Sequence, residues 1–209
     1  MELLNVLIKK PIQVSEKSGF IFLLHGYGSN EKDLFSFSEY LPKDNYIISF
    51  RAPLKIGPDS FSWYDISINE KSEKFSDINQ AKQSIKIIIE NIDYHLNLYP
   101  SKGTRSILGF SQGAILSWAI GLANPNKINK LLPLSGFLNE DILDNIHPDA
   151  FKLKCFISHG IYDPIIPIQL ARDTIEKIKK FKLEVKLNEY PEGHGISKEN
   201  FNDLINWMV

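Results

Sequence analysis

The sequence predicts an α/β protein in which a mostly parallel central sheet carries helices on both faces. Short apolar runs alternate along the chain with longer segments of helical period, as in successive βαβ units. Residues 20–24 are apolar without interruption, which is typical of a strand buried on both faces of a parallel sheet. Several of these runs end in loops rich in glycine and polar residues, where such sheets hold their functional groups.

Length and charge restrict the classes of function. The 209 residues suffice for one well-filled core and are few for two, so we expect a single domain over residues 1–209. The formal net charge of −1 argues against a nucleic-acid partner, because such proteins normally carry a basic excess. Charges of both signs are interspersed, and we find neither an internal repeat nor a low-complexity segment.

The sequence also predicts the compartment and the absence of a cofactor. Cys155 is the single cysteine, which excludes an intrachain disulfide and a zinc site built on cysteines. The first residues lack the features of a secretory signal peptide, and no apolar run is long enough to span a bilayer. None of the five histidines shows metal-ligand spacing. We therefore expect a cytoplasmic protein without integral membrane association, metal or cofactor.

The first half of the chain is predicted to contain three strands and two helices. Ser29 or Asn30 would cap the first helix, and an apolar stripe at helical spacing identifies the second. Residues 51–65 are expected to be irregular because prolines and glycines, including Gly57 and Pro58, interrupt them. The predicted strands span residues 3–8, 20–24 and 46–50. The first predicted helix ends near Leu41, and the second spans residues 77–98.

The second half continues the alternation. Pro167 falls in the first turn of a predicted helix, where a missing N–H costs little. Residues 183–187 alternate apolar and charged side chains, which suits a strand nearer the sheet edge. The predicted strands span residues 104–110, 128–134, 153–158 and 183–187, and the predicted helices residues 114–120, 166–180 and 198–208.

Residues 109–113 read Gly-Phe-Ser-Gln-Gly and lie between a predicted strand and a predicted helix. This is the G-x-S-x-G pattern of a nucleophile elbow, a sharp turn that lifts the serine hydroxyl above the sheet edge. A side chain at Gly109 or Gly113 would collide with the neighbouring strand or helix. The pattern alone is a weak signal, because a glycine-rich turn with a solvated serine matches it equally well.

Two further loops support Ser111 as a nucleophile. Asp163 directly follows a predicted strand, and His194 lies between two glycines after the last predicted strand. Loops that follow parallel strands emerge at one edge of the sheet, so the three side chains are expected to converge. Their chain order, Ser then Asp then His, is that of the α/β-hydrolase triad. His194 would act as general base, and Asp163 would accept the other imidazole N–H.

Other carboxylates fit the role of the acid less well. Asp65 precedes the nucleophile in the chain, Asp173 falls within a predicted helix and Glu192 lies beside the histidine. Asp163 comes directly after a strand and before a proline, at the position where the acid is needed. We therefore expect Asp163 to orient the general base.

The other histidines are assigned different roles. His25 ends a predicted strand but belongs to a glycine-rich loop that is better suited to bind an oxyanion. His159 is expected to be a structural residue at a strand end, packed near the site. His95 and His147 are expected to be solvated or locally hydrogen-bonded.

Acyl transfer also needs two hydrogen-bond donors aimed at the tetrahedral oxyanion. One is expected to be the backbone N–H of Gln112, which follows the nucleophile. The other is assigned to the backbone N–H of Tyr27, in the exit loop of the strand over residues 20–24. The alternative for this loop is a tight turn without a catalytic role.

With these residues in place, the chain resembles the phospholipase/carboxylesterase family of α/β-hydrolases, which includes the acyl-protein thioesterases. The resemblance implies the α/β-hydrolase fold and the same triad and oxyanion donors. The segment between residues 51–53 and Trp63 looks more like that of the bacterial carboxylesterases, and the chain lacks a large cap domain. A short-chain esterase is therefore favoured over a thioesterase acting on lipidated proteins. The similar segments, in family order, are residues 24–29, 51–53, 62–65, 109–114, 163–167 and 193–195.

The resulting hypothesis is a serine hydrolase that cleaves carboxylic esters, or thioesters, through an acyl-enzyme on Ser111. The substrates considered are short- to medium-chain acyl esters, lysophospholipids and acyl-proteins. Trp63, Tyr64 and Phe137 are candidates for the pocket wall, although aromatic residues in such loops more often form a packing cluster. An amide or peptide hydrolase and a non-catalytic binding module on the same fold stay open as rivals. Exposed apolar residues near the site leave a homodimer open as well.

Overall fold

A computed structural model describes residues 2–68, 74–99 and 101–209. The strands are β1 (Val6–Lys9), β2 (Gly19–Leu24), β3 (Asn45–Phe50), β4 (Leu54–Gly57), β5 (Ser60–Ser62), β6 (Ile66–Ile68), β7 (Lys74–Ser76), β8 (Arg105–Phe110), β9 (Lys130–Leu134), β10 (Lys154–Cys155), β11 (Ile157–Gly160) and β12 (Leu187–Tyr190). The main feature is an eight-stranded sheet in the order β1-β3-β2-β8-β9-β11-β12, with β10 paired to β9. The helices are α1 (Lys32–Phe35), α2 (Ile78–Leu98), α3 (Gln112–Ala123), α4 (Ile168–Lys179) and α5 (Lys198–Met208).

The sheet is mostly parallel, as the sequence predicted, and the structure shows one antiparallel strand at its edge. The edge strand β1 is antiparallel to β3, with Val6 opposite Phe50, whereas every other pairing in this sheet is parallel. The loops that leave the carboxyl ends of β2, β8, β9, β11 and β12 therefore emerge along one edge. This edge is called the carboxyl edge below, and the opposite one the amino edge.

Alternate side chains of β2 enter two cores, one on each face of the sheet. Phe20 and Phe22 pack with the buried residues of α2 and α3, whereas Ile21 packs with Leu34 of α1 and Leu204 of α5. A strand with both faces buried must be apolar throughout, which explains the uninterrupted run of residues 20–24. Helices thus cover both faces of the sheet, as predicted.

The prediction that residues 51–65 are irregular was wrong. Strands β4 and β5 form an antiparallel hairpin within this stretch, and just after it β6 pairs antiparallel with β7. Gly57 and Pro58 do not prevent pairing because they lie at the irregular register and the turn of the first hairpin. The hairpins lie beside the main sheet, so the βαβ alternation gave no signal for them.

The predicted strand over residues 183–187 was misplaced. Pairing with β11 begins at Leu187, opposite Ile157, and continues to Tyr190. Leu183 is buried and Val185 packs against the core, so the alternation there reflects side-chain packing without a strand ladder. The predicted strand over 153–158 is divided at Phe156 into β10 and β11.

Two predicted helices are shorter than expected. Only Lys32–Phe35 is α-helical in the first, and a 3₁₀ turn over Ser36–Glu39 follows it. Helix α4 begins at Ile168 because Pro167 occupies the N-cap position. In contrast, α2 begins where predicted, with the Asp77 side chain accepting a hydrogen bond from the N–H of Gln80.

Candidate active site

Ser111 lies at the turn between β8 and α3, in a backbone conformation that L-residues rarely adopt. Its φ is 54° and its ψ is −116°. Such a conformation costs about 1–3 kcal/mol and persists only where the surroundings enforce it. Here the Ser111 N–H donates to Leu134 O of β9 at 3.0 Å, and its carbonyl accepts from the first turn of α3. The strand and the helix thus hold the serine at the carboxyl edge.

The two glycines of the elbow are required by close backbone packing. A Cβ at Gly109 would lie 2.3 Å from Gly113 O, and one at Gly113 would lie 2.1 Å from Leu24 O. Both distances are far below a normal van der Waals contact. Glycine therefore lets α3 begin directly against β2 and β8, which sets the angle at which the serine leaves the sheet.

Three side chains from separate loops form one hydrogen-bonded chain at the carboxyl edge. Oγ of Ser111 lies 2.9 Å from Nε2 of His194, and Nδ1 of His194 lies 2.7 Å from Oδ2 of Asp163. These loops follow β8, β12 and β11 respectively. The ionised carboxylate can only accept, so Nδ1 carries the proton and Nε2 is left to accept from the serine hydroxyl.

Asp163 is held by its own loop. Its Oδ1 accepts hydrogen bonds from the backbone N–H groups of Ile165 at 2.8 Å and Ile166 at 2.9 Å. Its side chain is fully buried, so water does not compete for the carboxylate. The two backbone donors occupy one oxygen and direct the other, Oδ2, at the imidazole of His194. The turn after β11 thus orients the acid without another charged group.

His159 lies beside the acid and is kept uncharged. Its ring is fully buried, and its Nε2 lies 2.8 Å from Ile166 O and 3.4 Å from Oδ2 of Asp163. Burial lowers the pKa of His159 below its ordinary value, and this outweighs the nearby carboxylate. The negative charge of Asp163 is therefore left to His194, and His159 packs near the site as the sequence indicated.

The loop that carries His194 is anchored by Glu192, a contact that the sequence did not indicate. The Glu192 carboxylate accepts from the N–H of Ser197 and, at 2.8 Å, from the side-chain amide of Asn200, both at the start of α5. The Glu192 carbonyl accepts from the Tyr162 N–H at 3.0 Å. The histidine loop is thereby tied both to α5 and to the loop of the acid.

The two expected oxyanion donors come from the start of α3 and from the loop that follows β2. Gln112 is the first residue of α3, where backbone N–H groups have no acceptor within the helix. Beside Tyr27, the N–H of Gly28 donates to Phe61 O, and the N–H of Ser29 donates to Gly26 O. Among the described residues, the Tyr27 N–H has no such acceptor. Tyr27 itself is 46% exposed.

The His25 ring forms hydrogen bonds that hold the loop of Tyr27 in place. The N–H of Ala52 donates to its Nε2 at 3.0 Å, so Nδ1 must carry the proton, and Nδ1 lies 2.7 Å from Gly26 O. The ring is fully buried, and burial lowers its pKa, which keeps it neutral. His25 therefore fixes the loop of the predicted oxyanion donor.

The expectation that Trp63 and Tyr64 line the substrate pocket is corrected by the structure. Their side chains are 0% and 2% exposed, so neither presents a surface to a substrate. The side-chain amide of Gln112 accepts from Trp63 N–H and donates to Tyr64 O, both at 2.8 Å. The Trp63 indole donates to His25 O at 2.9 Å. These aromatic residues are the packing cluster that the sequence offered as the alternative, and they brace the elbow.

Phe137 is half-buried, and its loop lies against the elbow. A Cβ at Gly136 would lie 2.5 Å from Cβ of Ala114 and 3.2 Å from Ser111 O. Phe137 lines a cavity of about 210 Å³ that also includes Leu138 and Leu170. Phe137 is therefore the one of the three aromatic candidates that lines a cavity.

Comparisons with known proteins agree with this architecture. Residues 8–208 match the family model described as Phospholipase/Carboxylesterase. The acyl-protein thioesterase 1 of Kluyveromyces lactis is 27% identical to this chain over 207 residues, which cover 90% of each protein.

Two solved structures superpose over nearly the whole chain. Esterase PE8 has a TM-score of 0.81 at 18% identity and covers 99% of this chain and 98% of that one. The Bacillus cereus carboxylesterase has a TM-score of 0.80 at 16% identity and covers 98% of this chain and 93% of that one. At these identities the likeness shows the fold, and it confirms the predicted α/β-hydrolase class.

Proposed function

Because the chain belongs to the phospholipase/carboxylesterase family of hydrolases, we propose that it cleaves carboxylic esters or thioesters through an acyl-enzyme on Ser111. The observation that carries the proposal is the hydrogen-bonded chain from Ser111 through His194 to Asp163, at 2.9 and 2.7 Å. The strained backbone at Ser111 is a second support, because such strain is retained at functional sites.

In the first half of the reaction, Nε2 of His194 takes the proton of the Ser111 hydroxyl as Oγ attacks the carbonyl carbon. The negative charge that develops on the carbonyl oxygen is stabilised by the backbone N–H groups of Gln112 and Tyr27. Asp163 stabilises the imidazolium through Nδ1. The tetrahedral intermediate collapses, the bond to the leaving group breaks, and His194 gives its proton to the departing alcohol or thiol.

In the second half, water replaces the leaving group. His194 takes a proton from the water molecule while the water oxygen attacks the acyl carbon. The same oxyanion donors stabilise the second tetrahedral intermediate. Collapse releases the carboxylic acid, and the proton returns to Oγ of Ser111. These steps use the side chains and backbone of this chain together with water.

Exposed apolar side chains on the surrounding loops suit an acyl substrate. Tyr27, Tyr162 and Ile165 are 46%, 70% and 50% exposed, and they belong to the loops of the oxyanion donor and of the acid. We propose short- to medium-chain acyl esters as the substrate class, with lysophospholipids and acyl-proteins as the larger candidates. Among the described residues, no helix combines the length and apolar character needed to cross a membrane.

The proposal is tested by replacing the nucleophile. Ser111→Ala is expected to lower kcat on p-nitrophenyl acetate by on the order of a thousandfold or more and to abolish labelling by a fluorophosphonate. Ser117→Ala is the matched control, because the Ser117 hydroxyl donates to Ala114 O within α3. Persistent labelling of Ser111→Ala would contradict the assignment. Matched ester, thioester and anilide substrates then separate the bond types.

A further inference from the structure

The amino edge of the sheet carries a cavity of about 620 Å³ that the proposed hydrolysis does not use. Its charged lining residues are Lys130, Lys152, Lys154, Lys182 and Glu184, and its aromatic ones are Phe151 and Trp207. These residues define what we call the lysine cleft. The volume falls in the range of sites for small organic ligands.

The lysine cleft is far from the candidate active site. Lys130 is the first residue of β9, and Leu134, the last, accepts the hydrogen bond from Ser111. Four residue steps along a strand span about 13 Å. A ligand in the cleft therefore has no contact with the triad, and its binding can be measured separately from hydrolysis.

Two of the lysines oppose each other directly. Lys154 of β10 is in register with Lys130 of β9, and like charges at opposed positions of a sheet destabilise it. The Lys130 ammonium donates to Met208 O at 3.2 Å and lies 5.0 Å from the centre of the Trp207 ring. Among the described residues, neither lysine forms an ion pair. Burial, and then the charge of Lys154, lowers the pKa of Lys130.

Lys182 adds a third ammonium to the lysine cleft, and its backbone adopts an unfavourable conformation. It follows α4 with a φ of 56°, in the left-handed region that favours glycine at helix ends. Glycine would relieve this strain, yet the position carries a long cationic side chain on the wall of the cleft. Its ammonium also has no ion-pair partner within the described part of the chain.

The charges of the cleft do not balance. Lys152 pairs with Asp149 at 2.8 Å, and Glu184 is the one carboxylate on the lining. Lys130, Lys154 and Lys182 therefore leave an excess of two positive charges, which a phosphate monoester neutralises because it is close to a dianion at pH 7. Trp207 offers an aromatic surface to the organic part of such a molecule. We propose that the lysine cleft binds an organic phosphate monoester, either a soluble small molecule or a phospholipid headgroup.

Trp207 supplies the readout. Trp63 and Trp118 are fully buried, whereas Trp207 lines the cleft, so a ligand there changes the fluorescence of one of the three tryptophans. Titration with phenyl phosphate is expected to give a saturable change. Phenyl sulfate has a similar shape and one charge fewer, and it is expected to bind at least fivefold more weakly. Saturating phenyl phosphate is expected to leave hydrolysis of p-nitrophenyl acetate unchanged.

Three variants separate binding from folding. Lys154→Gln and Lys182→Gly are each expected to weaken phenyl phosphate binding by about tenfold, the usual effect of losing a hydrogen bond to a charged group. Lys182→Gly also removes the left-handed strain, so its Tm is expected to be unchanged or higher. Lys86→Gln on the exposed surface of α2 is the neutralising control, and its affinity is expected to equal that of the unmodified chain.

Vesicles distinguish the two sources of phosphate. Cosedimentation with phosphatidylcholine vesicles containing phosphatidic acid, lost in Lys154→Gln, assigns the cleft to a lipid headgroup. Binding of phenyl phosphate without cosedimentation assigns it to a soluble molecule. The proposal is overturned if neither binds, if phenyl sulfate binds as tightly as phenyl phosphate, or if the variants bind as tightly as the control. Competitive inhibition of ester hydrolysis would place the ligand in the active site and overturn it as well.

Discussion

The two edges of the central sheet differ in how their charged side chains are paired. At the carboxyl edge, Asp163 and His194 are bonded to each other, and Arg51 forms a bidentate pair with Glu31 at 2.6 and 2.5 Å. At the amino edge, Lys130 and Lys154 face each other in a cleft whose lining has one carboxylate, Glu184. The charged groups of the carboxyl edge are therefore paired within the chain, whereas for the lysines of the amino edge we propose a bound anion as the counter-charge.

The largest expected effect is on catalysis at the carboxyl edge. Asp163→Asn keeps the shape of the acid, but its amide can donate to Nδ1 and favour the wrong tautomer of His194. We expect kcat on p-nitrophenyl acetate to fall about 10³- to 10⁴-fold. Asp65→Asn is the control, because Asp65 is exposed and bonds the side chain of Gln80. Equal losses in the two variants would contradict the assignment of the acid.

The next effect concerns the backbone packing that positions the nucleophile. Gly113→Ala puts a Cβ 2.1 Å from Leu24 O, and we expect a loss of about 3 kcal/mol or more in the free energy of unfolding. Gly195→Ala is the matched control, because a Cβ there meets nothing within 4 Å. Urea denaturation measures both variants. A stable Gly113→Ala protein would show that the elbow tolerates a different approach of α3.

The third effect is a pH dependence of stability. Burial lowers the pKa of His25, His95 and His159, so below about pH 6.5 the unfolded chain binds protons that the folded chain does not. The free energy of unfolding therefore decreases as the pH is lowered, by up to about 1.4 kcal/mol per pH unit for each histidine. His95→Phe is expected to remove about a third of this slope, and the rest belongs to the two histidines of the carboxyl edge.

Urea unfolding at pH 7.5, 6.5 and 5.5 measures this slope. His95 is the informative histidine because it is 4% exposed and packs against Phe50 and Tyr99, away from the triad. The sequence assigned it to a solvated or locally bonded position, and its burial is a correction. An identical slope in His95→Phe and the unmodified chain would mean that other groups cause the pH dependence.

The smallest expected effect is at the amino edge. Lys154→Gln removes one member of the opposed lysine pair. We expect the free energy of unfolding to increase by about 0.2–1 kcal/mol. Raising the salt concentration to about 1 M should reduce the gain, because it shortens the screening length to about 3 Å. Lys86→Gln, with no opposed lysine, is the control. A loss of stability in Lys154→Gln would contradict the repulsion.

The candidate site was more predictable than the surrounding loops. Short patterns at the ends of predicted strands, together with their order in the chain, indicate Ser111, Asp163 and His194. The hairpins between Leu54 and Ser76 escaped this reasoning, because their partners are local and lie outside the main sheet. The burial of Trp63 and Tyr64 also escaped it, since it depends on the side chain of Gln112 reaching across the elbow.

The alternation of strands and helices, the glycines of the elbow and the order of the three side chains can be read from the sequence alone. These features depend on local backbone preferences and hydrophobic period, which short segments carry alone. Three features depend on the folded chain: the register that opposes Lys130 to Lys154, the neutral state of His25 and His159, and the anchoring of the His194 loop by Glu192. Register, burial and hydrogen-bond partners depend on contacts between residues that are distant in the chain, and short local patterns do not specify those contacts.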